Sequence, residues 1–110
     1  MAELTPNQKA SLGSMLGAFT GDSLGSHLEF SKGKVEQTDI MKAMQMPGGG
    51  PWGLRPGQVT DDSELAMCQM HGLLAGQGKF DLFHHALYYG SWIESNPADI
   101  GSTTFAGLGP

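Results

Sequence analysis

Basic residues, long apolar runs and cysteines are all scarce in this chain of 110 residues. Six Lys and Arg against eleven Asp and Glu give a formal net charge of −5, which disfavours a nucleic-acid partner or an anionic membrane surface. No apolar run approaches the about 18 residues of a membrane-spanning helix, and residues 1–4 lack the features of a signal peptide. The single cysteine, Cys68, excludes an internal disulfide. The composition therefore predicts a cytoplasmic protein in which Cys68 is a buried thiol rather than a nucleophile.

Strand-like alternation is also missing, as are internal repeats and low-complexity segments. Helical spacing of apolar residues predicts helices over 7–30, 38–46, 61–75 and 80–94, the first capped by Thr5-Pro6 and the last ended by Asn96-Pro97. Asp99 is expected to cap the first turn of a further helix. The predicted fold class is all-α, a helical globule that forms one partial domain over residues 1–110.

Glycine is abundant: the 17 glycines are about twice the usual share of roughly 7%. Four of them recur every fourth residue and so occupy one stripe of the first predicted helix: Gly13, Gly17, Gly21 and Gly25. Each costs about 1 kcal/mol of helix stability relative to alanine. We therefore expect another backbone to pack tightly against this stripe.

A second glycine-rich and proline-rich stretch, residues 47–57, cannot form regular structure and is expected to be a loop. Such a loop often builds the rim of a binding site, although a plain connector has the same composition. Trp52 favours the binding rim, because an indole is costly to expose without a role.

An acidic cluster follows this loop at Thr60-Asp61-Asp62. Hydroxyl and carboxylate groups are typical of a helix cap and first turn, where they also interact favourably with the helix dipole. The same three residues offer five side-chain oxygens, the ligand type that Mg²⁺ and Mn²⁺ prefer. The motif alone leaves a capped helix and a divalent-cation site both open.

Other polar residues have ordinary structural interpretations. Asp22 and Glu29 lie seven residues apart on the first predicted helix and share a face, which is typical of a solvated edge, although two aligned carboxylates beside a glycine stripe are unusual on a purely structural helix. Neighbouring His84 and His85 diverge by about 100° on a helix and cannot easily chelate one ion, so we interpret them, like His71, as structural or surface residues.

Three motifs, in this order and spacing, resemble the N-terminal part of the ADP-ribosylglycohydrolase family. They are GAFTGDSLG at 17–25 with Glu29, TDDSEL at 60–65, and PADIG at 97–101. The resemblance covers nearly the whole chain and is nearest to the dinitrogenase reductase-activating glycohydrolases and the ADP-ribosylarginine hydrolases. It implies an incomplete portion of an all-α fold that holds two Mg²⁺ or Mn²⁺ ions at the bottom of a cleft.

The resemblance also implies roles for individual residues. Thr60, Asp61 and Asp62 would be metal ligands, Glu29 would contact the scissile region through water, and Asp99 would meet the arginine side of the substrate. The implied activity is metal-dependent hydrolysis of the N-glycosidic bond between ADP-ribose and a protein side chain, arginine above all. The implied partner is an ADP-ribosylated protein or ADP-ribose itself.

The family's C-terminal metal motif, of the G-D-[TS]-D-[TS] type, has no counterpart here, because Asp99 is the last acidic residue. We therefore expect a fragment, a truncated reading frame or one half of a split protein, which supplies about half of the site. Self-association or a complementing C-terminal chain would complete it. Two other hypotheses stay open: a non-catalytic module that binds ADP-ribose or a partner protein, and a small helical interaction protein whose resemblance is accidental.

Overall fold

The regular elements of the computed structural model, which describes residues 3–109, are helices. They are α1 (Pro6–Gly25), α2 (Gln37–Ala43), α3 (Asp61–Ala75), α4 (Leu82–Glu94) and α5 (Ser102–Leu108). Within residues 3–109 no strand forms, and an isolated bridge joins Gly49 to Leu54. The all-α prediction is therefore confirmed. No helix in this described range is both long and apolar enough to cross a membrane.

Contacts divide the chain into two compact units. The first runs to Val59 and contains α1 and α2, and the second begins at Thr60 and contains α3, α4 and α5. The single partial domain expected over residues 1–110 stays a prediction.

Helix α1 begins as predicted and ends earlier than predicted. Thr5 and Gln8 form a capping box, in which each side chain accepts a hydrogen bond from the other's backbone amide, at 2.9 and 3.2 Å. The helix ends at Gly25 rather than near Phe30, because residues 26–30 form turns and Phe30 takes a left-handed φ of 55°. Glu29 therefore lies beyond α1 and shares no helix face with Asp22.

The glycine stripe of α1 is open. A Cβ built at any of its four glycines would have no atom within 4 Å among the described residues, apart from the helix's own neighbouring backbone. The expected tight packing against another backbone is therefore wrong within residues 3–109. Helix α1 buries Ser23 instead, which lies about 200° around the helix from Gly21.

Helices α3 and α4 pack against each other to form a hairpin. His85 is buried, and its ring lies where a Cβ on Gly72 would come within 2.9 Å, so the bare backbone of α3 makes room for the imidazole. Further along the interface, His71 stacks on Tyr88 with the ring centroids 5.3 Å apart.

Helix α4 buries a face that its apolar spacing does not select. Leu82 and Ala86 are exposed, whereas His85 and Trp92, seven residues apart, are buried. Apolar spacing gives a histidine no weight, although an imidazole can bury against a glycine.

Candidate functional site

The acidic cluster lies where α3 begins. Thr60 is the buried N-cap in an extended conformation, and its carbonyl accepts a hydrogen bond of 3.0 Å from the amide of Glu64. Asp61 is half-buried and Asp62 is exposed in the first turn. The Thr60 side chain makes no capping hydrogen bond. The prediction that a helix starts here is therefore confirmed, and the two carboxylates lie near the positive end of the helix dipole, although Thr60 supplies no side-chain cap.

The third motif of the sequence lies beside the second. The backbone amide of Gly101 donates a hydrogen bond of 3.3 Å to Oδ2 of Asp61. Asp99, two residues earlier, is buried. The predicted further helix is confirmed, but it starts later than predicted: α5 begins at Ser102 with Gly101 as its N-cap, so Asp99 does not cap it. The backbone around Asp99 is not helical, which lets the amide of Gly101 reach the carboxylate of Asp61.

A second hydrogen bond holds the first turn of α3 to α4. The indole Nε1 of Trp92 donates to Oε2 of Glu64 at 2.7 Å, a short distance typical of a bond to a charged acceptor. Trp92 is 7% exposed and Glu64 is half-buried, so water competes little at the indole end. This contact fixes the helical turn that carries Asp61 and Asp62.

The residues of this turn offer the type of ligand that a divalent cation prefers, but too few ligands to fill its coordination shell. Two carboxylates and one hydroxyl are hard oxygen donors, as Mg²⁺ and Mn²⁺ require. In the described part of the chain, however, no three His, Cys, Asp or Glu residues are grouped as a metal site would need. Thr60, Asp61 and Asp62 can therefore supply only part of a coordination shell.

Glu29 belongs to the first unit, in a turn that is anchored to the glycine-rich loop on both sides of it. His27 Nδ1 donates a hydrogen bond of 2.9 Å to the carbonyl of Gly48. On the other side, the ring of Phe30 meets that of Trp52 edge-on, with centroids 6.1 Å apart. The exposed carboxylate of Glu29 is thus presented to solvent from a braced turn.

The loop itself has a definite conformation. Gly48 has a φ of 66°, and a Cβ there would collide with the carbonyl of Leu54, so only glycine fits. The bridge between Gly49 and Leu54 closes the loop through hydrogen bonds of 2.8 and 3.0 Å. Trp52 is half-buried, and its Nε1 has no hydrogen-bond partner in the described residues. The expectation of an irregular segment is confirmed, and the loop is nevertheless well connected.

The histidines and the cysteine have structural surroundings. His85 donates from Nδ1 to the carbonyl of Asp81 at 2.8 Å, and His84 Nδ1 lies 3.4 Å from Oδ2 of Asp81.

Cys68 is half-buried. Its thiol pKa is raised, mainly by burial and to a smaller extent by the nearby charge of Glu64. A raised pKa disfavours the thiolate, which is the reactive form.

Sequence reasoning missed two groups that organise the site. The amide of Gly101 carries no side-chain signal, and only its place in the D-I-G motif could have drawn attention to it. Trp92 did have a signal, since it lies seven residues after His85, at the spacing of one helix face.

Residues 4–110 match the model of a protein family that is described as ADP-ribosylglycohydrolase. A protein of Acanthamoeba polyphaga mimivirus, provisionally named an ADP-ribosyl glycohydrolase, is 43% identical over 94 residues, which are 82% of this chain and 28% of that protein. The ADP-ribosyl-[dinitrogen reductase] glycohydrolase of Rhodospirillum rubrum is 37% identical over 98 residues, 88% of this chain and 33% of that protein. The ADP-ribosylarginine hydrolase Tri1 of Pseudomonas putida is 33% identical over 104 residues, 93% of this chain and 26% of that protein. The chain thus spans about a quarter to a third of the length of these relatives.

Proposed function

Because the chain belongs to the ADP-ribosylglycohydrolase family, we propose that it forms part of an enzyme that hydrolyses the N-glycosidic bond between ADP-ribose and a protein side chain. The observation that carries this proposal is the hydrogen bond between Gly101 and Asp61. It joins the T-D-D and D-I-G motifs, 40 residues apart in sequence, at one end of α3.

Arginine is the proposed acceptor side chain. The Pseudomonas putida relative is named for ADP-ribosylarginine, and its similarity extends over 93% of this chain. A carboxylate can accept two parallel hydrogen bonds from a guanidinium, and Asp99 is the residue proposed for this role. Its burial strengthens such bonds, since the low local dielectric favours paired charges.

Two divalent cations, Mg²⁺ or Mn²⁺, are proposed as cofactors, with Thr60, Asp61 and Asp62 as ligands from this chain. When bound, such ions hold a ribose diol and lower the pKa of a water molecule. The half-buried carboxylate of Asp61 is oriented by Gly101, and the turn that carries it is held by the hydrogen bond from Trp92 to Glu64. A second copy or a complementing chain would supply the rest of the shell.

In the proposed reaction, water adds to the anomeric carbon, the carbon–nitrogen bond breaks, and the released guanidine takes up a proton. Positive charge develops on the sugar in the transition state, and carboxylates stabilise it. Glu29 is the proposed carboxylate that contacts the scissile region through water. Contacts of His27 and Phe30 with the glycine-rich loop hold the turn that carries Glu29. The lone cysteine supports a cytoplasmic location.

Isothermal titration of Mn²⁺ into the chain, with and without ADP-ribose, tests the metal half-site. We expect binding that the double variant Asp61→Asn/Asp62→Asn abolishes, and that Glu94→Gln, which removes one exposed charge at the end of α4, leaves unchanged. Binding that survives the double variant would refute the assignment of these ligands.

Non-catalytic recognition of ADP-ribose is the second candidate, favoured by the small number of acidic ligands grouped in the described residues. The two functions differ in turnover. Release of free ADP-ribose from an ADP-ribosylarginine peptide, by the chain with Mn²⁺ present, supports the hydrolase. Saturable binding of the same peptide without release, by a protein completed with a C-terminal segment that supplies the remaining metal ligands, supports the binding module.

A further inference from the structure

Arg55 is the only arginine in the sequence, and it lines an open groove in the first unit. The groove has a volume of about 600 Å³ and is formed by residues 55–58. That volume lies within the range of about 300–1,000 Å³ that small-molecule sites occupy.

The turn that carries Arg55 is closed by reciprocal hydrogen bonds. Its amide donates to Oε1 of Gln58 at 3.0 Å, and the amide of Gln58 donates back to the Arg55 carbonyl at 3.0 Å. Between them, Pro56 restricts φ, and Gly57 takes a φ of 74° and donates its amide to the carbonyl of Met46 at 3.0 Å. The backbone direction of Arg55 is therefore set before any ligand arrives, which lowers the entropy cost of binding.

The charge of Arg55 is distinctive in its surroundings. The chain carries a formal net charge of −5, and Arg55 belongs to neither of the ion pairs, Lys9 with Glu3 and His84 with Asp81, found in the described residues. A guanidinium presents a planar fork of N–H donors that matches the oxygens of a phosphate, and an ammonium does not. The exposed side chain can therefore form a bidentate contact with a phosphate group.

We propose that the groove of residues 55–58 binds the diphosphate of a nucleoside diphosphate sugar through the Arg55 guanidinium. The identity of the ligand rests on the proposed function, since ADP-ribose carries such a diphosphate. The groove itself rests on its own geometry and charge. Arg55 is thus a substrate-binding residue of the first unit, whose contribution differs from that of the metal ligands of α3.

Calorimetric titration of the full 110-residue chain with ADP-ribose, inorganic pyrophosphate and adenosine tests the inference. Arg55→Gln removes the charge, Arg55→Lys keeps the charge without the fork, and Lys34→Gln removes an equal charge elsewhere in the same unit. We expect Arg55→Gln to weaken ADP-ribose and pyrophosphate at least tenfold, Arg55→Lys to have an intermediate effect, and Lys34→Gln to have little. Adenosine, which has no phosphate, should not respond to Arg55.

Other outcomes separate this inference from the proposed function. Unchanged ADP-ribose binding in Arg55→Gln overturns the inference and leaves the function in place. Equal weakening by Lys34→Gln also overturns it, because any basic residue would then suffice. Pyrophosphate binding that depends on Arg55, without binding of ADP-ribose, supports the phosphate groove and contradicts the function. A wild-type chain that binds neither anion overturns the inference, and the Mn²⁺ titration then decides the function independently.

Discussion

The amide of Gly101 lies 3.3 Å from Oδ2 of Asp61, so the loop after α4 is attached to the first turn of α3 through a carboxylate. One oxygen of Asp61 is thereby directed at the protein backbone. This arrangement orients the side chain before a cation or substrate is present.

Gly101→Pro is expected to weaken Mn²⁺ binding about fivefold. Proline tolerates the φ of −63° found here but has no amide hydrogen, and its ring occupies the place of the donor, so the Asp61 carboxylate must rotate. A hydrogen bond of this length at a half-buried carboxylate contributes about 1 kcal/mol, which corresponds to that factor. The measurement is calorimetric titration of each variant with Mn²⁺.

Gly101→Ala is the matched control for this variant. It keeps the amide, and its Cβ would have Thr104 Oγ1 as its nearest neighbour at 3.6 Å, an ordinary contact. If alanine weakened Mn²⁺ binding as much as proline does, the effect would come from the side chain, and the proposed role of the amide would be wrong.

Trp92→Phe is expected to lower the free energy of unfolding by about 1–3 kcal/mol, because the Glu64 carboxylate loses a short hydrogen bond and the smaller ring leaves part of a buried space unfilled. Glu64→Gln should cost less, since the amide oxygen can still accept from the indole. Urea denaturation of Trp92→Phe, of Glu64→Ala and of their double variant gives the coupling between the two side chains, because each single change removes the hydrogen bond. Strictly additive effects would show that the hydrogen bond contributes nothing to stability.

Sequence patterns predicted local features of this fold well. The bounds of α3 agree with the prediction at both ends, because the acidic first turn and Gly76 mark its limits. Thr5 and Pro6 likewise mark the start of α1. In each case the residues that mark a helix boundary lie within a few residues of that boundary, so it can be predicted without knowledge of tertiary contacts.

Features that depend on distant residues were predicted less well. The turn after α1 is joined by a hydrogen bond from His27 to Gly48, 21 residues away, and helical periodicity carries no information about that contact. Burial of His85 depends on Gly72 in another helix. For the candidate site, the motifs named Asp61 and Asp99 in advance, but the backbone amide that joins their segments became evident only in three dimensions.

Gly72→Ala is expected to lower the free energy of unfolding by about 1–3 kcal/mol, because the added Cβ would lie 2.9 Å from ring atoms of buried His85 and overpack the interface. Gly90→Ala on α4 has nothing within 4 Å of its Cβ among the described residues and should stabilise the protein by about 0.5–1 kcal/mol through helix propensity. Thermal and urea unfolding compare the two. Stabilisation by both substitutions would mean that His85 does not pack closely against α3.

Asp81 makes stability depend on pH in the acid range. The backbone amide of His84, and after it that of Phe83, donates to its carboxylate, and these bonds lower the pKa of Asp81 below its ordinary value of 3.8. Because the folded-state pKa is lower than the unfolded one, the stabilisation is fully present above pH 3.8 and is lost as the pH falls through the folded-state value. Asp81→Asn retains an oxygen that can cap α4 but cannot titrate, so its unfolding free energy should fall less steeply with acid than that of the wild type. Urea denaturation over a pH series measures both slopes, and parallel slopes would show that the carboxylate of Asp81 is not the group responsible.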